Sequence, residues 1–117
     1  MSEVRISFYL KEYRIHVHID TLRAIGSPKR IGFLIHKDFE KFAVIPYAKR
    51  DFKSHSVPDE VYSGIMSLEI SSYLLCRSLI SHLNWKSGRS YRVSGCVNST
   101  EYGNKIAVFN LIDAAQI

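Results

Sequence analysis

Two similar stretches of sequence constrain the fold of this chain more than any other feature. Residues 41–45 read Lys-Phe-Ala-Val-Ile, and residues 105–109 read Lys-Ile-Ala-Val-Phe, so both follow the pattern Lys, apolar, Ala, Val, apolar. The same order of elements is predicted to precede each stretch. An internal repeat indicates two similar units, and each is too small to build a core of its own, so we expect them to share one.

The first unit is predicted to span residues 13–47. Its residues 14–19, Arg-Ile-His-Val-His-Ile, alternate between polar and apolar side chains, which is typical of a half-buried strand. Asp20 or Thr21 then offers a side-chain oxygen that can cap a short helix, and Gly26 suits its end. Two apolar runs joined by a polar connection complete the unit and predict a β-hairpin.

The second unit is predicted to span residues 65–111. Alternation over residues 66–71 indicates its first strand, and Ser71 or Ser72 can cap the helix that follows. That helix covers residues 73–83, because its leucines recur at spacings of four and so share one face. A second hairpin closes the unit, as in the first half of the chain.

The segments outside the two units complete the fold prediction. Residues 4–8 alternate and predict one more strand, whereas residues 48–64 are polar, contain Pro58 and are predicted to be a linker. We therefore predict an α+β, β-rich single domain over residues 1–117. It consists of two β-α-β-β units with short helices.

This order of strand, short helix, strand, turn and strand resembles the swapped-hairpin fold of the AbrB and MraZ families. Arg14 could match the arginine of the family's first strand, and Leu22-Arg23 with Ile25-Gly26 could match its helix signature, Leu-Arg-x-x-Leu-Gly. Two such units in one chain look like MraZ, or like an AbrB dimer fused into one polypeptide. The resemblance implies a swapped-hairpin barrel and sequence-selective DNA binding by a cytoplasmic, oligomeric transcription regulator that needs no metal or cofactor.

The charge of the chain is compatible with such a partner. Sixteen Lys and Arg residues against eleven Asp and Glu residues give a net charge of +5. Duplex DNA presents a dense row of phosphates, and each cation that neutralises one of them releases counterions. We expect double-stranded DNA to be contacted by basic residues of the first strand–helix corner and of the linker, namely Arg14, Arg23, Lys29, Arg30, Lys49, Arg50 and Lys53.

Two other binding functions fit the sequence. The first strand of the second unit carries Ser67 and Glu69 on its polar face instead of basic residues, which favours a protein-binding module such as an antitoxin or a mobile-element inhibitor. Aromatic residues among the cations would suit stacking on the bases of a single strand. These aromatic residues are Phe8, Tyr9, Tyr13, Tyr47 and Phe52.

Catalysis, metal binding and membrane insertion have little support in the sequence. Cys76 and His82 point to different sides of the predicted helix, and the chain has no Gly-x-Ser-x-Gly and no phosphate-cradling glycine loop. His16 and His18 share a strand face at a chelating spacing, but no third ligand is evident. A membrane helix needs about 20 apolar residues, and no such run is present, so we expect a cytoplasmic, non-catalytic protein.

Overall fold

The alternating segments form the strands of one antiparallel sheet in a computed structural model that describes residues 4–51, 53–64 and 67–117. The strands are β1 (Val4–Tyr9), β2 (Arg14–Val17), β3 (Arg30–Ile35), β4 (Lys41–Pro46), β5 (Ser54–Ser56), β6 (Leu68–Ser71), β7 (Ser90–Ser99), β8 (Lys105–Asn110) and β9 (Ala115–Gln116). The helices are α1 (Ile19–Ala24), α2 (Asp59–Gly64) and α3 (Tyr73–Leu83), and a 3-10 turn covers Leu111–Asp113.

The sheet curves into a nearly closed barrel. Its strand order is β5-β3-β4-β8-β7-β1-β2-β6, and β9 adds a short pairing to β7. Three strand pairings among the described residues join the halves of the chain, since β1 pairs with β7, β2 with β6 and β4 with β8, all antiparallel. The strand-rich class and the barrel-like sheet with few short helices are therefore confirmed.

The core lies inside the barrel and is built by the period of two along each strand. Ile6 and Phe8 of β1 point inward and are fully buried, whereas their neighbours Arg5, Ser7 and Tyr9 occupy the opposite face. Phe8 packs against the rings of other elements and so ties the strands together. Its partners are Phe42, at a ring-centroid distance of 5.7 Å and nearly perpendicular, and Trp85, at 5.4 Å.

The helix α3 begins and ends as the sequence predicts. The Ser72 hydroxyl accepts the Leu75 N–H at 3.3 Å, and Asn84 closes the helix in the left-handed region with φ of 55°. Helix α1 differs, because His18 precedes its first residue and no side chain caps it. The expectation that Thr21 would act as a cap is therefore wrong, and so is that for Asp20.

The hydroxyl of Thr21 has a different role, which explains the missing cap. It is fully buried within α1, accepts the Arg5 N–H at 2.9 Å and donates to the Arg5 carbonyl at 2.7 Å. Thr21 therefore provides hydrogen-bond partners for the backbone N–H and carbonyl of Arg5 in β1, and these bonds hold α1 against the sheet. A buried backbone group left without such a partner would cost about 1–3 kcal/mol.

The segment 48–64, which the sequence suggests as a linker, contains β5 and α2. β5 extends the sheet by pairing with β3, and Val57 and Val61 are buried in the core. Phe52 lies outside the described residues, as do Ile65 and Met66 at the start of the predicted second unit. Within the described ranges, none of the helices has the length and apolar character that a membrane span requires.

Candidate nucleic-acid interface

Five of the seven predicted basic residues belong to two segments that the sheet brings side by side. β5 runs antiparallel to β3 with Arg30 opposite Ser56, and the Tyr47 N–H donates to the Arg30 carbonyl at 3.0 Å. The chain therefore leaves β4, turns through residues 47–51 and 53, and returns as β5 along the start of β3. This turn carries Lys49, Arg50 and Lys53, and Lys29 and Arg30 lie at the start of β3.

Lys29, Arg30 and Arg50 line one cleft with a volume of about 570 Å³, which we call the basic cleft. The other residues that line the cleft include three prolines, whose rings fix the backbone angle φ. The further lining residues are Pro28, Pro46, Tyr47, Ala48, Ser56, Val57, Pro58 and Asp59. The cleft thus presents three cations on a wall that the backbone holds in place.

Arg30 is the most firmly held of the three cations. Its Nε and Nη2 donate to the Ser54 hydroxyl at 3.0 Å and 2.6 Å, and this hydroxyl in turn donates to the Asp51 carbonyl at 3.3 Å. Ser54 is buried and Arg30 is half-buried. A positioned guanidinium loses less side-chain freedom on binding an anion than a freely rotating one does.

Asp51 places a negative charge beside the basic cleft. The Lys53 N–H and the Tyr47 hydroxyl donate to its two carboxylate oxygens, each at 2.9 Å. These bonds hold the pKa of Asp51 below its usual range, and the bond to Asp51 raises the pKa of Tyr47. Asp51 is therefore ionised at neutral pH and orders the turn that presents Arg50.

Two of the cations that line the cleft are exposed. Within residues 4–51, 53–64 and 67–117, Lys29 and Arg50 form no ion pair with a carboxylate. Asp59 also lines the cleft and Asp51 lies beside it, so these two carboxylates offset part of the attraction of the three cations for phosphate and leave a net positive charge. The cleft can therefore bind anions along its rim.

The remaining two predicted residues lie elsewhere and have intramolecular partners. Arg14 on β2 forms ion pairs with Glu69 at 3.3 Å and with Glu12 at 3.6 Å. Arg23, in the last turn of α1, donates to the Tyr62 carbonyl at 3.1 Å and so holds α2 against α1. The structure does not bring Arg14 or Arg23 into the basic cleft.

His16 and His18 have separate partners. The His16 ring lies 3.3 Å from a Glu69 oxygen and 4.4 Å, between ring centroids, from Tyr9. His18 is within hydrogen-bond distance of the Ser7 hydroxyl, at 2.9 Å from its Nε2. Among the described residues, no three metal-ligating side chains come together.

Sequence reasoning missed a polar cluster on the outer face of the sheet. Ser7 is fully buried there, and Arg92, which lies opposite it on β7, donates its Nε to the Ser7 hydroxyl at 3.2 Å. The alternation along β1 places Ser7 on the same face as Arg5 and Tyr9, and this is the part of the cluster that the sequence could have indicated. Its partner 85 positions away could not be found without the strand register.

Comparisons with known proteins provide no relative for this chain. Scans of family models, of curated proteins and of solved structures find no match.

Proposed function

We propose that this protein is a small non-catalytic DNA-binding protein, an AbrB/MraZ-like transcription regulator that contacts the phosphates of double-stranded DNA through the basic cleft. The observation that carries this proposal is the convergence of Lys29, Arg30 and Arg50 on one cleft from two separate segments. Lys49 and Lys53 belong to the same turn as Arg50, and both lie close enough to Asp51 to lower its pKa.

The strand pairing between the halves supports a two-unit architecture. The stretches that begin at Lys41 and Lys105 lie side by side, with Ala43 opposite Val108 and Val44 opposite Ala107. A local two-fold axis between equivalent residues would produce this antiparallel pairing of Ala-Val with Val-Ala. The two β-α-β-β units proposed from the sequence would be related by that axis, in the way that subunits are related in a symmetric dimer.

The two units are not equivalent in charge, and this locates the proposed DNA contact. Arg14 of the first unit is offset by Glu69 of the second unit and by Glu12. The cations of the basic cleft come from residues 29–53 alone. One basic cleft within the described part of each chain fits a regulator that forms homo-oligomers, because two copies would then contact two half-sites of duplex DNA.

The direct test is the salt dependence of binding to a duplex, measured by fluorescence anisotropy with the full chain. Three phosphate contacts per chain predict a slope of log K against log salt of about −3 for each bound chain, since each contact contributes about −0.9. The double variant Lys29→Gln, Arg50→Gln should reduce that slope by about two. Arg77→Gln with Lys86→Gln, on and just after α3, is the matched control and should leave the slope unchanged.

The absence of duplex binding below about 100 mM salt, where counterion release favours association, would contradict the proposal. An equal loss in the control pair would also contradict it, because the attraction would then be a property of net charge and not of the cleft.

A second candidate, a protein-binding module such as an antitoxin or a mobile-element inhibitor, rests on a separate observation. Tyr73 and Leu74 are adjacent at the start of α3 and are 57% and 79% exposed. Adjacent exposed apolar side chains are typical of interaction surfaces. Capture of a defined partner from nuclease-treated lysate that is lost in Leu74→Glu, with duplex binding unchanged, would favour this function over the first.

A further inference from the structure

Three strands place a row of polar side chains across the outer face of the barrel. In the sheet register, Ser7 on β1 lies opposite His16 on β2 and opposite Arg92 on β7. Side chains directly opposite each other on one face have Cβ atoms about 4.5–5.5 Å apart, so they contact one another. His18, which follows β2, reaches the same point through its Nε2.

The centre of this row is a built hydrogen-bonded arrangement. The Ser7 side chain is fully buried, accepts the Arg92 Nε–H at 3.2 Å and lies 2.9 Å from the His18 Nε2. The Ser7 hydroxyl therefore orients both the Arg92 guanidinium and the His18 ring. Because Arg92 uses only its Nε on Ser7, its two terminal amino groups retain their N–H donors in a fixed orientation.

The charges around the row are mainly positive. Burial above all, and then the nearby Arg5, Arg92 and His16, lower the pKa of the His18 imidazole, while Asp20 opposes them. Asp20 is engaged with Arg5 at 2.9 Å, and Glu69 is engaged with His16 at 3.3 Å. No carboxylate among the described residues forms an ion pair with Arg92.

We propose that the cluster of Ser7, His18 and Arg92 is a binding site for an oxyanion of the phosphate class. The fork of Arg92 matches two oxygens of a tetrahedral anion. In the tautomer whose Nε2 accepts the Ser7 O–H, the His18 ring keeps its one N–H on Nδ1 as a further donor. Such an anion would also relieve the repulsion among the surrounding cations. The site lies on β1, β2 and β7 and does not depend on the basic cleft.

The test is a titration of the full-length protein with inorganic phosphate, followed by the NMR signals of the His18 ring and the Arg92 Nε–H. We expect a saturable shift that Arg92→Gln weakens about tenfold or more, the effect of losing a charged hydrogen bond. Arg92→Lys, which keeps the charge without the fork, should weaken it less. Arg77→Gln on α3 should leave it unchanged, and circular dichroism confirms that each variant folds.

Two results would overturn the proposal. A shift that does not saturate and that sodium chloride reproduces at equal ionic strength would mean an adventitious ion only. An equal affinity in Arg92→Gln, with the protein folded, would show that the cluster does not bind the anion.

A binding experiment with duplex DNA shows whether the natural ligand of the site is a phosphate of the DNA backbone or a free anion. If Arg92→Gln also weakens duplex binding, and free phosphate competes with the duplex, the site takes a backbone phosphate. If duplex binding is unchanged, it takes a free phosphate-class anion. The variant Lys29→Gln, Arg50→Gln separates the two proposals, since it should impair duplex binding through the basic cleft and leave the phosphate titration intact.

Discussion

Gly95 is the position where a single added methyl group should disturb the barrel most. It lies where β7 passes from pairing with β1, opposite Val4, to pairing with β8, opposite Phe109. A Cβ built on Gly95 would lie 2.2 Å from the Val108 carbonyl oxygen and 2.7 Å from a ring carbon of Phe109. The oxygen belongs to the backbone of β8 and cannot rotate away, so β7 and β8 would have to separate.

The magnitude of this effect follows from the clash. Overpacking a core typically costs about 1–3 kcal/mol, and a contact with the backbone belongs at the upper end of that range. We therefore expect Gly95→Ala to lower the free energy of unfolding by about 3 kcal/mol, a large part of the 5–15 kcal/mol typical of a domain. The corresponding decrease in Tm is about 10 °C for a chain of this size.

Urea and thermal unfolding of the full chain measure the difference directly. Ser94→Ala is the matched control, because Ser94 is the preceding residue of β7 and is exposed. Its effect should stay within about 0.5 kcal/mol. A Gly95→Ala protein with the stability of the unsubstituted chain would refute the close approach of β7 to β8, and with it the curvature that closes the barrel.

Three further predictions concern separate parts of the molecule. Ser72→Ala removes the cap of α3 and should cost about 1 kcal/mol in urea unfolding, whereas Ser72→Asp should retain most of the stability. His18 and His55 have pKa values lowered by burial, so the folded state disfavours their protonation. Stability is then full above the unfolded value of 6.5 and falls as the pH drops below it, and His55→Gln should flatten this fall in thermal scans. Burial raises the pKa of the Cys76 thiol to about 11, so a thiol reagent at pH 8 should label the exposed Cys96 rapidly and Cys76 only on unfolding.

The elements with strong hydrophobic periodicity could be predicted from the sequence. Ile15 and Val17 are buried as their alternation indicates, and α3 spans Tyr73–Leu83 as the leucine spacing indicates. These signals are local, because the side-chain period alone determines which face is buried. The pattern of apolar residues is therefore sufficient for the strands and the helix that form most of the core.

β5 could not be predicted in the same way. Its sequence, Ser54-His55-Ser56, carries no apolar alternation, and it is a strand because the edge of β3 offers unpaired backbone groups to it. α2 is similarly held from outside, by the Tyr62 hydroxyl on the Pro28 carbonyl and by Arg23 on the Tyr62 carbonyl. Tertiary contacts such as these leave little trace in the local pattern.

The candidate binding sites were even harder to predict from the sequence, because they depend on contacts between residues far apart in the chain. A list of cations cannot distinguish Arg14, which Glu69 neutralises from 55 positions away, from Arg50, which lines a cleft. The pairing of Ser7 with Arg92 spans 85 positions and exists only because β1 lies beside β7. The function of a basic residue here depends on the strand register that places or withholds its acidic partner.

The distribution of ion pairs determines where this chain can attract anions. Arg5 and Arg14 are each within 3.3 Å of a carboxylate, and a cation so paired contributes little potential beyond about one Debye length, roughly 8–10 Å. The positive charge outside these ion pairs includes Arg92 and, at the basic cleft, Lys29 and Arg50, on separate parts of the sheet. Raising the salt concentration should therefore weaken long-range attraction to both. Binding at Arg92 should be the less sensitive of the two, because the buried Ser7 hydroxyl orients its guanidinium, and a hydrogen bond of fixed geometry is screened less than an exposed charge.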